Sequence, residues 1–513
     1  MIGSKNNATV SSTAATVAGA DTDNELKLQS NIIAGKSQSA QAPVISPLEF
    51  ENFVPWVCKQ WCTSTAILIT RKTQGQENQT RKSITIKAKS LVFGNGSKPR
   101  INDEFSSLGC VQIESKKNLL VFSEQVVPIT TYYDAKKRLI EIAFLECKVH
   151  LSRKIIHAIS LAVPYHSTLT RFTFRRSKLT CDIIYEISKL LPISNITEVC
   201  LDDSEVKEGN YYVLLEQYSQ LKYLSLNRCN INDAICKKIF TNIDFGAPAA
   251  TTLQLLDLAC NEITDEGAKF IGQVLRLNRC LMHLNLSGNR ITDEGFRPII
   301  ESLMEFPLKP DDIMTMRRRK ITHIQSKMSV YLRCLTDLKY GKGPEPLEDL
   351  DNSTCERKTL TKRLRKKSKK TTLHQSAEDV ADVMTQGIVG DFYDPFASDN
   401  LVYKDDVAYC MGNFILCYLN LAYNNLEFPS VQRIRHALAY QDEVTKVRNE
   451  TGLIRVVLDG NYIPQNCDEL DEIDIYLKKA IFLRNHTRKT KVSSSTKRLC
   501  SSTKCSTSFE EKM

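Results

Sequence analysis

Residues Leu253 to Phe296, LQLLDLACNEITDEGAKFIGQVLRLNRCLMHLNLSGNRITDEGF, state nearly the same pattern twice. Leu253, Leu256, Leu258, Asn261 and Ile263 return 28 residues later as Leu281, Leu284, Leu286, Asn289 and Ile291, and each set is followed by Thr-Asp-Glu-Gly. The alternating leucines of each set fall on one face of a short strand, because successive side chains of a strand point to opposite sides. The asparagine that follows can hydrogen-bond turn backbone that would otherwise be buried unpaired. Thr264 and Thr292 stand as helix N-caps, with Asp and Glu in the first turn, where the helix dipole favours negative charge. Each unit therefore reads as a strand, a turn and a helix.

Written as L-x-x-L-x-L-x-x-N-x-L at a fixed period, this is the pattern of a leucine-rich repeat. Weaker copies precede it: Leu139, Ile142, Phe144, Cys147 and Val149; Leu169, Phe172, Phe174, Ser177 and Leu179; Ile196, Val199, Leu201, Ser204 and Val206; Leu221, Leu224, Leu226, Cys229 and Ile231. The starts at 139, 169, 196, 221, 253 and 281 lie 30, 27, 25, 32 and 28 residues apart. Such periods leave room for an outer helix, as in SRKIIHAISLAV and DEGAKFIGQVLRL. The units resemble the ribonuclease-inhibitor-like class of leucine-rich repeats. That resemblance implies an α/β solenoid, a horseshoe with parallel strands on its concave face and helices outside.

After Leu303 the register breaks, to return at Leu416, Leu419, Leu421, Asn424 and Leu426 and again at Leu453, Val456, Leu458, Asn461 and Ile463. Since 416 − 281 is 135 and one repeat takes about 28, more than a hundred residues are inserted between the sixth and seventh repeats, where insertions form loops on one face. Within them, DDIMTMRRRKITHIQSKMSVYLRCL from Asp311 continues as a basic amphipathic helix. RKTLTKRLRKKSKK, from Arg357 to Lys370, has Lys or Arg at nine of fourteen positions, and DFYDPFASDNLVYKDD reads as irregular. Between Phe50 and Lys137, Phe53, Trp56 and Trp61 stand with Cys58 and Cys62, followed by AILIT, SITIKA, LLVF and VVPITTYY, which suggests a small β-rich unit covering the open end of the first repeat. Cys58 and Cys62 lack a second Cys/His pair at zinc spacing, and the two tryptophans read as core. The expected organisation is a disordered tail over 1–48, a β-rich capping unit over 49–137, repeats one to six over 138–306 and a basic, partly disordered insertion over 307–411. Repeats seven and eight with a closing helix follow over 412–483, and a disordered basic tail over 484–513.

If the strands read x-L-x-L-x, three side chains per repeat face the concave side, where solenoids usually bind. Among these, Arg171, Arg175, Tyr223, Asn227, Asp257, His283, Asn285, Tyr418, Asn420 and Arg455 are the candidate partner-binding residues. Tyr223, His283, Asn285 and Tyr418 lead them, because exposed Tyr and His supply contact area at modest entropy cost. His283 could pair with Asp257 across neighbouring strands as an ordinary surface hydrogen bond. Catalytic patterns are missing: there is no GxxxxGK[ST], no GxGxxG opening a helix, no HExxH and no GxSxG, and the eight histidines are dispersed. The chain therefore reads as a non-enzyme with no cofactor and no metal.

The chain has 513 residues, 42% hydrophobic and 25% charged, with a net charge of +10 concentrated in the inserted run. Lys362, Arg363, Arg365, Lys366, Lys367, Lys369 and Lys370 form that basic patch, which serves as a solvated charge block, a nuclear import signal or a contact for an acidic polymer. No aromatic residues interleave it, which argues against a specific nucleic-acid reader. The N-terminus has no apolar signal region and no run of about eighteen apolar residues occurs, so neither secretion nor a membrane span is expected. The seventeen scattered cysteines then read as reduced thiols of a cytosolic protein. Six repeats, a Lys-rich insertion preceded by MRRRK, and two further repeats beginning FILCYLNLAYNNL resemble the family of leucine-rich repeat-containing protein 71. The resemblance implies a scaffold of the cilium or flagellum with axonemal or cytoskeletal protein partners. The residues by themselves imply a cytoplasmic binding module of unspecified oligomeric state, and a regulator that inhibits an enzyme or small GTPase through the same face is the alternative.

Overall fold

The computed structural model describes residues 45–61, 65–73, 126–340, 376–446, 452–464 and 466–484. The N-terminal tail to residue 44, the SITIKA and LLVF runs, the basic patch Lys362–Lys370 and the tail from 485 lie outside them. One ten-stranded sheet runs through the described chain. Its strands are β1 (Ala66–Thr73), β2 (Val126–Tyr133), β3 (Leu139–Leu145), β4 (Arg171–Arg175), β5 (Glu198–Cys200), β6 (Tyr223–Ser225), β7 (Leu255–Asp257), β8 (His283–Asn285), β12 (Tyr418–Asn420) and β13 (Arg455–Val457), in that spatial order. From β3 to β13 every neighbour is parallel, and β12 lies directly on β8 with Tyr418 opposite His283. The eight repeats are thus consecutive turns of one solenoid, and the insertion leaves at a single joint.

Helices α2 (Arg153–Ala162), α3 (Cys181–Leu190), α4 (Asp233–Thr241), α5 (Asp265–Leu275), α6 (Asp293–Glu301) and α9 (Phe428–Thr445) return the chain to the start of the next strand. Between β5 and β6 the period is only 25 residues, and a 3-10 helix over Asn210–Leu215 stands in for the α-helix. Its fully buried Tyr211 anchors that short turn, the hydroxyl accepting from the Val206 amide at 2.7 Å. The leucine positions of all eight turns belong to one continuous core that runs from Phe50 to Leu477. In the first turns phenylalanines fill it, with the Phe144 and Phe174 rings stacked at 4.8 Å.

The eighth position of every repeat has a left-handed backbone: Glu146, Arg176, Asp203, Arg228, Cys260, Gly288, Tyr423 and Gly460. That twist turns the next residue inward, and the side chain there bonds the turn. Asn289 accepts from the Ile263 amide at 3.1 Å and donates to the Leu258 and Leu286 carbonyls at 3.0 and 2.9 Å. Asn261 does the same to the turn before it, Asn461 to the turn of Asn424, and Asn424 reaches across the joint to the Ile291 amide and the Leu286 carbonyl. A second set of links runs forward along the helix starts. Asp265 accepts from the Thr292 amide and hydroxyl, both at 2.7 Å, as Asp233 does from Thr264. Asp293 accepts from the Glu427 amide at 3.1 Å and from the Ser430 hydroxyl. The first-turn aspartates therefore tie neighbouring turns together as well as complementing the helix dipole.

The N-terminal unit departs from the β-rich expectation at its start. Residues Phe50–Gln60 form helix α1, because Phe50, Phe53, Val54, Val57 and Cys58 repeat at helical spacing and are all buried. Strands β1 and β2 join the repeat sheet itself, running opposite to the repeats, with β2 antiparallel to β3. Trp61 stacks on His157 of α2 at 5.3 Å and Trp56 packs against the core.

The insertion also differs from a plain loop. It contains a 31-residue helix α7 (Pro310–Tyr340), helix α8 (Ala377–Val389) and a three-stranded sheet of β10 (Leu401–Lys404), β11 (Val407–Cys410) and β9 (Phe306–Pro307). The DFYDPFASDNLVYKDD stretch, expected to be irregular, carries β10 and the turn of that hairpin. Asp405 and Asp406 both take positive φ, the conformation a tight two-residue hairpin turn demands. Phe306, Leu308, Phe396, Ala408 and Cys410 make a second small core, and buried Asp394 holds Arg319 at 2.6 and 3.0 Å. Helix α10 (468–484) closes the far end, its Ile473 and Leu477 in the main core.

Replacing Asn289 with alanine strands the Ile263 amide and the Leu258 carbonyl, while the Leu286 carbonyl keeps its bond from Asn424, so a loss of about 2 kcal/mol is expected in denaturant unfolding. Ser177→Ala, which removes weaker bonds at the matching position, is expected to cost about 1 kcal/mol. Gly295→Ala is expected to cost more than Gly267→Ala. A methyl at 295 lies 2.6 Å from the Asp265 Cα, whereas one at 267 meets only the side chains of Asp233 and Ile263. The reverse order would show that the Asp265 link is not rigid.

Candidate partner-binding surface

Parallel register stacks the inward-facing positions of the strands into rows. Glu141, Arg171, Glu198, Tyr223, Leu255, His283, Tyr418 and Arg455 make one row. Ala143, Thr173, Cys200, Ser225, Asp257, Asn285, Asn420 and Val457 make the next. The two rows therefore share one face, but they fall into two chemically different ends.

The first end is ionic. Arg171 donates to Glu198 at 2.6 Å and to Glu141 at 3.4 Å, and Thr173 donates to the second oxygen of Glu141 at 2.9 Å. Partial burial works against the Arg171 charge, but Glu198 and Glu141 outweigh it and raise its pKa. Arg175 lies 3.8 Å from Asp202, which also accepts from the Ser225 hydroxyl at 2.5 Å and the Asn227 amide at 3.3 Å. These groups line a hollow of about 500 Å³ together with Lys72 and Tyr132. Strands β1 and β2 supply those last two, so the capping unit extends the face formed by the rows. Sequence reasoning passed over both; for Tyr132 the signal was the alternation of Val127, Ile129 and Thr131 with their neighbours on β2. Burial pushes the Cys200 thiol up to about 12, which removes it as a nucleophile. Tyr223, at the border of this end, is likewise pushed up to about 12 by burial.

The second end is aromatic. The His283 and Tyr418 rings stack at 5.4 Å, and the Arg455 guanidinium lies 5.7 Å from the centre of the Tyr418 ring on its other neighbour strand. Burial, and then the charge of Arg484, lower the His283 pKa, so it is neutral near pH 7. The pairing of His283 with Asp257 does not form. Register sets His283 opposite Leu255, and Asp257 opposite Asn285, whose amide donates to it at 3.0 Å. Asn420 turns back on its own strand and accepts from the Ala422 amide, while the Asn227 carboxamide oxygen is buried with no hydrogen-bond partner. Among the described residues no cluster of His, Cys, Asp and Glu could hold a metal, and no helix is long and apolar enough to cross a membrane.

Comparison with known proteins agrees with the turns that are most regular. Residues 220–240, 249–272 and 277–299 match the family model described as Leucine Rich repeat. No curated protein matches the chain. Among solved structures it is similar to an internalin, inlF, from Listeria monocytogenes str. 4b F2365, at 12% identity and a TM-score of 0.28, over 68% of this chain and 72% of that one. With its parallel sheet and helix returns, the chain is a leucine-rich repeat solenoid.

Burial pushes the Asp257 carboxyl above its usual 3.8, against the hydrogen bonds from Ala259 and Asn285. The folded chain then keeps this proton longer than the unfolded chain. The group's contribution is full below the unfolded value and falls as pH rises through the raised folded one. Asp257→Asn keeps the acceptor without the charge, so its denaturation midpoint is expected to improve on the parent's as pH goes from about 4 to about 7. A difference that shrinks over that range contradicts the assignment.

Proposed function

We propose that this protein is a non-enzymatic scaffold that holds a protein partner against its concave face. The observation that carries the reading is the stacked His283–Tyr418–Arg455 row, three contact-rich side chains held in place by their own strands before any partner arrives. Pre-ordered Tyr and Arg lose little entropy on binding and dominate protein interfaces. The ionic end, with its carboxylates already paired to Arg171 and Arg175, supplies orientation more than affinity. The interleaved signs there suit a protein surface rather than a polyanion.

On the resemblance to leucine-rich repeat-containing protein 71, we further propose that the partner is an axonemal or cytoskeletal protein of the cilium or flagellum. A regulator of an enzyme or GTPase would use the same face, and would be recovered as a one-to-one complex with a globular enzyme.

A photo-cross-linker placed at 418 in the full chain is expected to capture a protein partner. His283→Ala with Tyr418→Ala is expected to weaken that partner's affinity by about tenfold or more without shifting thermal unfolding. Unchanged affinity would move the interface off this row. For the proposed location, a tagged copy in a ciliated cell is expected to stay with salt-stable microtubule structures after detergent extraction. Its release into the detergent-soluble fraction would sink the axonemal reading and leave the scaffold reading standing.

A further inference from the structure

The inner side of helix α7 is accounted for. Met316 packs on the small core, Arg319 grips Asp394, the His323 ring lies 5.3 Å from that of Phe392, Lys327 donates to Gln386 at 2.9 Å, and Cys334 is buried beside Thr385. On the outer side Tyr331 lies near the acidic residues Glu378, Asp379 and Asp382 of α8, while Met314, Ile321, Ile324 and Met328 are left to solvent. Met314, Ile321, Met328 and Leu335 recur every seven residues, and Ile324, Tyr331 and Leu338 take the position three further on. Met314, Ile321, Ile324, Met328 and neighbouring Leu332 are each more than half exposed. A strict seven-residue repeat of apolar side chains is the seam of a coiled coil, and from Met314 to Leu338 it runs about 36 Å along the helix. An apolar stripe of that length left to water marks an interaction site.

The flanks decide what fits it. In heptad terms the a positions are Met314, Ile321, Met328 and Leu335, and the first d position is Arg317, the one charge in the seam. Arg318 and Lys339 occupy e positions and Lys320 a g position, the next g residue, Lys327, being turned to Gln386, and beyond Asp312 the only acidic residue of the helix is Asp337. A second copy laid alongside in parallel register would place Arg317 against Arg317 within the seam and bring two cationic flanks together. Like charges at such positions oppose pairing.

We propose that the outer face of α7 docks an acidic amphipathic helix of a protein partner, apolar at its own a and d positions with Glu or Asp beside them. Its apolar side chains cover Ile321, Ile324 and Met328, and its carboxylates meet Arg317, Arg318 and Lys320. This surface shares no residue with the concave rows, so the protein would hold two partners at once, and the inference stands apart from the concave-face reading.

The probe is a labelled four-heptad peptide with leucine or isoleucine at a and d and glutamate at e and g, titrated with the full chain. Its controls are the same residues in shuffled order and a version with lysine at e and g. The heptad peptide is expected to bind, with both controls weaker by about tenfold or more. Ile321→Asp with Met328→Asp, at exposed positions, is expected to remove binding while thermal unfolding is unchanged. Arg318→Glu with Lys320→Glu is expected to shift preference towards the lysine peptide, and Tyr418→Ala to bind the glutamate peptide as the parent does. Three results overturn the proposal. One is equal binding of the shuffled peptide, which reduces the surface to diffuse charge. Another is a dimer of the chain in sedimentation that Ile321→Asp with Met328→Asp dissociates, which makes the occupant a second copy. The last is peptide binding seen only once residues 341–375 are excised, which means the chain covers its own seam.

Discussion

A turn that carries the chain from a buried strand to an outer helix encloses backbone amides that neither element can pair, and unpaired buried amides are costly. In this protein one side chain per turn takes them. Where it is asparagine, as at 261, 289, 424 and 461, a single carboxamide both donates and accepts and so joins its own turn to the one before. Where it is serine or cysteine the same position does less. Ser204 accepts from the Ser177 amide, and the Cys229 thiol donates to the Leu201 carbonyl. The change divides the solenoid. The asparagine turns carry the aromatic end of the concave face, and the serine and cysteine turns carry the ionic end, where Glu141, Arg171 and Glu198 add cross-strand bonds of their own.

The joint between β8 and β12 shows how strongly the ladder specifies the fold. More than a hundred residues leave and return there, yet Asn424 meets Ile291, and Asp293 meets Glu427, much as if the turns were adjacent in sequence. Loop closure costs rise only slowly with length, so the repeats on either side tolerate a long excursion. The excursion has its own structure: a small core under Phe306 and Phe396, a buried carboxylate at Asp394 and a long helix.

The concave rows were legible because strict alternation around the leucines leaves one register, and a one-residue slip would turn every core leucine out. The left-handed position was largely hidden, since only Gly288 and Gly460 advertise it while Glu146, Arg176, Asp203, Arg228, Cys260 and Tyr423 adopt it under tertiary constraint. The hairpin turn at Asp405 and Asp406 was missed for the same reason, lacking the glycine that usually marks it. Helix α1 was hidden because the helical spacing of Phe50, Phe53, Val54, Val57 and Cys58 is carried largely by aromatic and β-branched residues, which favour strands. The ion pairs of Arg171 and the stacking of His283 on Tyr418 depend on side-chain rotamers across strands, which a linear pattern does not encode. The forward links of Asp265 and Asp293 were seen only as dipole partners, because the Thr292 and Ser430 hydroxyls that meet them lie in the next turn.

In an uninterrupted solenoid each new turn can settle on its predecessor as soon as it is made. Here the apolar face of the sixth turn, with Leu284, Leu286 and Phe296, waits for residues beyond 416 to cover it. During synthesis from the N-terminus, six turns are complete while that face is still open to water. At several residues per second the wait lasts for seconds, long compared with local folding steps. The joint is therefore the place where a newly made chain is most exposed to the wrong neighbour, and the point at which a chaperone would have most to do.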